Sequence, residues 1–366
     1  MADIRIKKLA EMLVHYSVSV QRKQRVLIEY DDLAAPLARE IYREVLKIGA
    51  YPYLLARPSW KNEDFFRLAQ DNQINYIHSV EKAFIKDFDA DIVLCADENT
   101  KALSNVDSAK MSARSLARVN LIKLHRDRSA RGELKWVLCN YPTHALAQDA
   151  QMSLAEYEDF LYDACLIDIN DPQGAWQKIQ KRQDDIIKVL SSKDLFELDG
   201  SNAKLSIRAG GRIWKNSCGH YNVPDGEIFT SPVENSAEGY IRFSYPAIYR
   251  GKEVSGVEMW FKRGRVIKVK AEQNEDYMLS VIDTDDGARF LGEFAFGTNN
   301  SIKRFSKDIL FDEKIGGTIH LALGSSYPET GGKNDSVVHW DMICDMRDGV
   351  VKADGQIIYQ NGDFVI

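Results

Sequence analysis

Within the first 150 residues, short apolar runs recur between stretches with helical spacing, and this alternation narrows the choice of fold more than any other feature. Residues 25–30 (RVLIEY), 51–56 (YPYLLA), 91–96 (DIVLCA) and 134–139 (LKWVLC) each read as a strand. Ile6, Leu9, Met12, Leu13 and Tyr16 fall at helical spacing, and residues 37–47 form an amphipathic helix that Gly49 terminates. Strands separated by helices imply a largely parallel sheet covered on both faces. Neither G-x-G-x-x-G nor G-x-x-x-x-G-K-[ST] follows any of these strands, so a nucleotide site in this half has no support.

The texture changes further along. Ser153-x-x-Glu156 is a capping box that opens a helix, residues 171–174 (DPQG) break the chain, and helical spacing resumes over 176–190. At 366 residues the chain is long for one hydrophobic core. A boundary near 190–195 divides it into an α/β domain, 1–192, and a second domain, 193–366. In the second, residues 195–198 and 204–208 flank Asp199-Gly200, and 258–261 and 265–271 flank Arg263-Gly264, both hairpin signals. Residues 318–323 and 337–343 read as further strands, and 274–283 as a helix. The expected class is α+β, mostly antiparallel.

Apolar residues at 45% and charged residues at 28% suit a water-soluble globular protein, and no run reaches the ~18 apolar residues that span a bilayer. The start, MADIRIKKLAEML, lacks the continuous apolar stretch of a signal peptide. Five cysteines, odd in number and far apart, form neither a disulfide framework nor a Cys-x-x-Cys motif, so a reducing cytoplasm is expected. A net charge of -6 gives no electrostatic reason to bind nucleic acid. The basic stretch 123–131 (KLHRDRSAR) reads as a solvated loop of mixed charge.

Chemistry concentrates near the C-terminus. On a strand, His339 and Asp341 of VVHWDMI share a face and would ligate one divalent ion, or form a buried His–Asp hydrogen bond. His320 sits in GTIHLALG among apolar residues, where a lone histidine is more often a satisfied core residue than a ligand. Glu227 follows a Pro/Gly turn in NVPDGEIFT, and Glu293 lies between small and apolar neighbours in GARFLGE. Singly, each reads as a surface carboxylate, and spacing does not show that they converge.

Together, NVPDGEIFTSP, DTDDGARFLGE, FDEKIGGTIHLALGSSYP and HWDM resemble the motifs of the aminopeptidase T/aminopeptidase S family of two-metal metallopeptidases. The resemblance extends to LAEMLVHYSVSVQRKQRVLIEY and WVLCNYPTHALAQDAQMSLAEYEDF, and so runs through the whole chain. It implies metal ligands at Glu227, Glu293, His320, His339 and Asp341, with Tyr327 at the metal centre as a ligand or as a donor to the oxyanion. Five side chains give two ions three ligands each only if one bridges, and the family pattern points to Glu293. The resemblance also implies two divalent ions per chain (zinc, cobalt or manganese), a shared hydroxide nucleophile and removal of N-terminal residues from short peptides. It further implies a homodimer whose sites face an enclosed cavity. Glu313 is open between a general base and a salt bridge with Lys314. A non-catalytic metal-binding protein and another two-metal hydrolase are the alternatives.

Overall fold

The computed structural model describes residues 3–366. The chain forms two compact units: one comprises the chain up to Gln173 with Gly219–Pro224, the other Gly174–Cys218 with Asp225–Ile366.

In the first unit the apolar runs pair as expected. The sheet order is Tyr51–Arg57, Arg25–Asp31, Ala90–Cys95, Lys135–Asn140 and Asn222–Val223, every neighbour parallel. Val26, Ile28, Ile92, Leu94 and Val137 are buried, as strands covered on both faces require. Gly49 ends the helix Ala35–Ile48 at φ 79°, a left-handed conformation that glycine adopts without a Cβ penalty. The Ser153 and Glu156 side chains each accept a hydrogen bond from the other's backbone N–H, at 3.2 and 2.8 Å.

Two features of this unit depart from expectation. Its last strand, Asn222–Val223, arrives from far along the chain. The basic stretch is no loop, because Val119–Ala130 is a helix. Arg128 is buried there and donates to the carbonyls of Ile85, Phe88 (2.8 Å) and Glu133 (2.9 Å). A guanidinium that satisfies orphan carbonyls gives a polar helix an anchor that apolar periodicity cannot reveal.

The second unit has an eight-stranded antiparallel sheet and a five-stranded one. Both hairpins form, as Leu195–Asp199 with Ala203–Arg208 and Glu258–Lys262 with Arg265–Lys270. A helix spans Glu275–Ile282. The smaller sheet runs His339–Asp345, Thr318–Gly324, Leu291–Gly297, Glu227–Thr230 and Lys215–Ser217. Its Phe294, Phe296, Ile319, Leu321, Trp340 and Met342 share one core with Phe196, Leu205, Ile241 and Met259 of the larger sheet. With a period of two, packing these residues on one face turns their neighbours to the other. Those neighbours are Glu293, Ala295, His320, Ala322, His339 and Asp341. Among the described residues no helix is long and apolar enough to cross a membrane.

Candidate metal centre

Cross-strand register brings the polar residues of that second face together. Ala322 pairs with Glu293 on one side and Asp341 on the other, Ala295 lies opposite His320, and Gly324 opposite His339. Small side chains therefore make the floor between the polar ones. The ladder between Leu291 and Glu293 carries a bulge, and Gly292 sits in it. A Cβ there would lie 2.3 Å from the Ser325 carbonyl oxygen, so the close approach admits only glycine. Glu227 opens its strand opposite Gly297.

The resulting distances are short. His320 Nε2 lies 3.3 Å from Glu227 Oε2 and 3.5 Å from Glu293 Oε1. His339 Nε2 lies 3.3 Å from Glu293 Oε2 and 3.5 Å from Asp341 Oδ2. Two clusters of donor atoms result, Glu227–Glu293–His320 and Glu293–His339–Asp341, with Glu293 in both. The Nδ1 of His339 is 2.8 Å from the Ser325 carbonyl oxygen, an acceptor that holds the N–H there and leaves the Nε2 lone pair facing the carboxylates.

Glu227 Oε2, both ring nitrogens of His320, and Asp341 Oδ1 are buried without a hydrogen bond. Buried polar atoms are normally paired, and Glu227 Oε2 and His320 Nε2, 3.3 Å apart, suit a divalent ion, which would satisfy both at once. A donor set of only nitrogen and oxygen fits zinc, cobalt or manganese.

The electrostatics are those of a crowded, desolvated cluster. Burial pushes Glu227 up to about 8, against the pull of Lys314. Burial also acts on Glu293, but the adjacent imidazoles of His320 and His339 hold it down at about 2. Burial works against the charged imidazoles, yet the surrounding carboxylates raise His320 to about 9 and His339 to about 10. Asp341 rises to about 6 on burial.

Four further residues border the cluster. The Tyr327 hydroxyl is 3.4 Å from His339 Nε2, its ring packs on Phe229 at 5.2 Å, and its N–H donates to Ser231 Oγ at 3.1 Å. The negative charge of Glu293, then burial, lift its phenol well above the ordinary range. Glu313 is salt-bridged to Lys314, and it also forms a third cluster of donor atoms with His320 and Asp341. Lys314 is fully buried; burial works against its ammonium, but Glu227, Glu313 and Asp225 hold it above the usual lysine range. Gln183, on the helix Pro172–Leu190, was not legible as a site residue; its amide donates to the Glu227 carbonyl at 2.8 Å. A glutamine at an apolar position of that helix was the available signal.

Carboxylates and imidazoles gathered this way on one sheet face define a candidate centre for metal-dependent hydrolysis. The sequence pattern of the thermophilic metalloprotease (M29) family matches residues 2–364, and the chain belongs to that family. Aminopeptidase 2 of Geobacillus stearothermophilus is 28% identical across 98% of this chain and 97% of its own length. Aminopeptidase T of Thermus thermophilus is 24% identical across 98% and 95%. The solved structure of wild-type AmpT from Thermus thermophilus shares the fold, with a TM-score of 0.88 over 99% of both chains at 22% identity.

Proposed function

We propose that the chain is an aminopeptidase that removes N-terminal residues from short peptides with the help of two divalent ions. The observation that supports this most directly is the pair of donor clusters joined at Glu293, several of whose buried atoms have no hydrogen bond. Glu227, Glu293 and His320 would hold one ion and Glu293, His339 and Asp341 the other, with Glu293 as the bridge. Zinc, cobalt or manganese bound there would polarise the scissile carbonyl and make water a nucleophile near neutral pH.

The chain's own groups would orient the reaction. A free substrate amine, unprotonated, would bind the second ion through its lone pair, which favours exopeptidase behaviour. Tyr327, clamped by Phe229 and Ser231 with its hydroxyl beside His339, would donate a hydrogen bond to the oxyanion.

We assign catalysis to residues 193–366, and cavity wall and dimer contacts to 1–192. The exposed Tyr51, Tyr53, Leu54, Trp60, Leu68 and Leu116 support an interface for a second copy. Five free cysteines fit a reducing cytoplasm. Hydrolysis of a panel of aminoacyl chromogenic substrates by metal-stripped protein, repeated after adding Zn²⁺, Co²⁺ or Mn²⁺, tests the assignment. Metal-restored cleavage of free but not acetylated peptides is the expected result; equal rates on both would make it an endopeptidase, and metal binding without turnover would leave a non-catalytic protein.

A further inference from the structure

Lys314 is the one charged cation of the cluster whose role the reaction does not itself require. The residue follows the short helix Ile309–Asp312, and its backbone is fixed on both sides. Its N–H donates to the Phe311 carbonyl at 3.0 Å, and its carbonyl accepts from Asn299 N–H at 3.0 Å. The ammonium is 0% exposed, is hydrogen-bonded to Glu313 Oε1 and lies 3.6 Å from Glu227 Oε1. The other oxygen of Glu227, Oε2, has no hydrogen bond and points to His320. The two oxygens of one carboxylate are thus divided between a cation and the metal centre.

Glu313 has the same divided position. It reaches the cluster of His320 and Asp341 closely enough to be a ligand, yet one of its oxygens is taken by Lys314. Without a competing cation, a carboxylate there would fill a coordination position that substrate and water need, and a catalytic site must keep such a position open.

We propose that Lys314 is a positioning residue that sets the ligand count of the centre: it restricts Glu227 to one coordinating oxygen and keeps Glu313 out of the ligand set. This rests on reading Glu227, His320 and Asp341 as ligands. A purely structural salt bridge would instead stabilise the fold and leave coordination unchanged.

Lys314→Met retains the unbranched, fully buried stem and removes only the charge. Titration of metal-stripped protein with Co²⁺, followed by calorimetry and by the visible absorption of the ion, reads affinity and coordination number without any peptide turnover. Removing neighbours of a metal's ligands typically changes affinity on the order of 10–100-fold. Here the sign is reversed from the usual loss, because a positive charge leaves and a carboxylate is freed. We expect Co²⁺ to bind tighter by that factor, with weaker visible absorption as the coordination number rises. Adding Glu313→Gln should remove the share contributed by Glu313 and bring both readings back towards the parent, short of it by the second Glu227 oxygen. In Lys314→Met kcat should fall with KM nearly unchanged.

Weaker or unchanged Co²⁺ binding in Lys314→Met, or no response to Glu313→Gln in that background, overturns the proposal. Should Lys314→Met not fold, Glu313→Gln alone decides. A parent-like affinity supports Glu313 as a non-ligand, and a tenfold loss shows that it already ligates. A parent protein that binds no Co²⁺ would instead refute the ligand reading beneath the proposal.

Discussion

Replacing Gln183 with Met tests whether the helix Pro172–Leu190 holds the metal centre in place. Gln183 is 1% exposed, and its two amide hydrogens serve three acceptors: the Glu227 carbonyl at 2.8 Å, Thr298 Oγ1 at 3.0 Å and the Ser217 carbonyl at 3.3 Å. Methionine is of similar length and equal helix propensity, so the change removes the donor together with the amide oxygen, which is buried without a hydrogen bond. Each hydrogen bond contributes about 1 kcal/mol net, and a buried acceptor left unpaired costs ~1–3 kcal/mol. Thr298 can turn its hydroxyl elsewhere, which leaves the two carbonyls at ~2–6 kcal/mol; loss of the unpaired amide oxygen returns ~1–3 kcal/mol, for a net of ~1–3 kcal/mol. In a domain of 150–250 residues each kcal/mol shifts Tm by ~2–4 °C, so a drop of roughly 2–12 °C is expected. Because one of the lost bonds fixes the backbone of Glu227, metal affinity should fall as well, on the order of tenfold. Thermal melts of the metal-stripped and zinc-loaded forms, with calorimetric titration of zinc, measure both. A Gln183→Met protein that melts within ~0.5 kcal/mol of the parent and binds zinc equally would refute the reasoning.

Other outcomes follow from the same geometry. Metal-replete protein should contain about two divalent ions per chain by elemental analysis, and Glu293→Ala should reduce the occupancy of both because it belongs to both clusters. Tyr327→Phe should lower kcat by roughly 10²–10³ with metal content unchanged, as the loss of one oxyanion donor would; loss of one ion instead would mark the tyrosine as a ligand. His320 and His339 are raised to about 9 and about 10 in the metal-free fold, so at neutral pH they carry protons that a metal must displace. Apparent affinity should therefore rise with pH up to about 10 and fall tenfold per unit for each proton displaced, below about 10 for His339, about 9 for His320 and about 8 for Glu227, and calorimetry in buffers of different ionisation enthalpy counts those protons. The same shift stabilises the metal-free protein below about 6.5 and is lost as pH rises through 9–10, opposite in sign to the metal-loaded form.

The parts of the fold readable from sequence are those carried by local pattern. RVLIEY, DIVLCA and LKWVLC are apolar runs bounded by polar residues, and they became parallel strands because nothing but a covered sheet buries both faces of such runs, while YPYLLA pairs parallel at the sheet edge and stays largely exposed. Arg263-Gly264 marked a hairpin because both residues take the positive φ, 48° and 77°, that the strands' twist demands. At Asp199-Gly200 the strand instead continues through Asp199, and the turn closes between Gly200 and Ala203 without positive φ at the glycine. By contrast, Leu291–Gly297 (LGEFAFG) gave no strand signal: it is buried along its whole length, so no polar alternation survives, and its glycines argue against a strand interior. Asn222–Val223 joins a sheet whose other strands end at residue 140, a pairing that no local window contains.

The candidate site divides along the same line. The relation of His339 to Asp341 needs only a period of two and is visible in seven letters. That of Glu227 to Glu293 to His320 depends on the register of three strands far apart in sequence, and register is set by the apolar face. Phe294, Phe296, Ile319, Leu321, Trp340 and Met342 must meet the larger sheet, and a slip of one residue would bury the carboxylates in that core instead. The hydrophobic face thereby aims the polar one. Ala322 shows how closely the two are tied: it lies opposite both Glu293 and Asp341, and any larger side chain there would stand between these two members of one donor cluster. An alanine flanked by Leu321 and Leu323 looks like ordinary core in the sequence, and only the pairing of its two neighbouring strands makes its small size a requirement of the site.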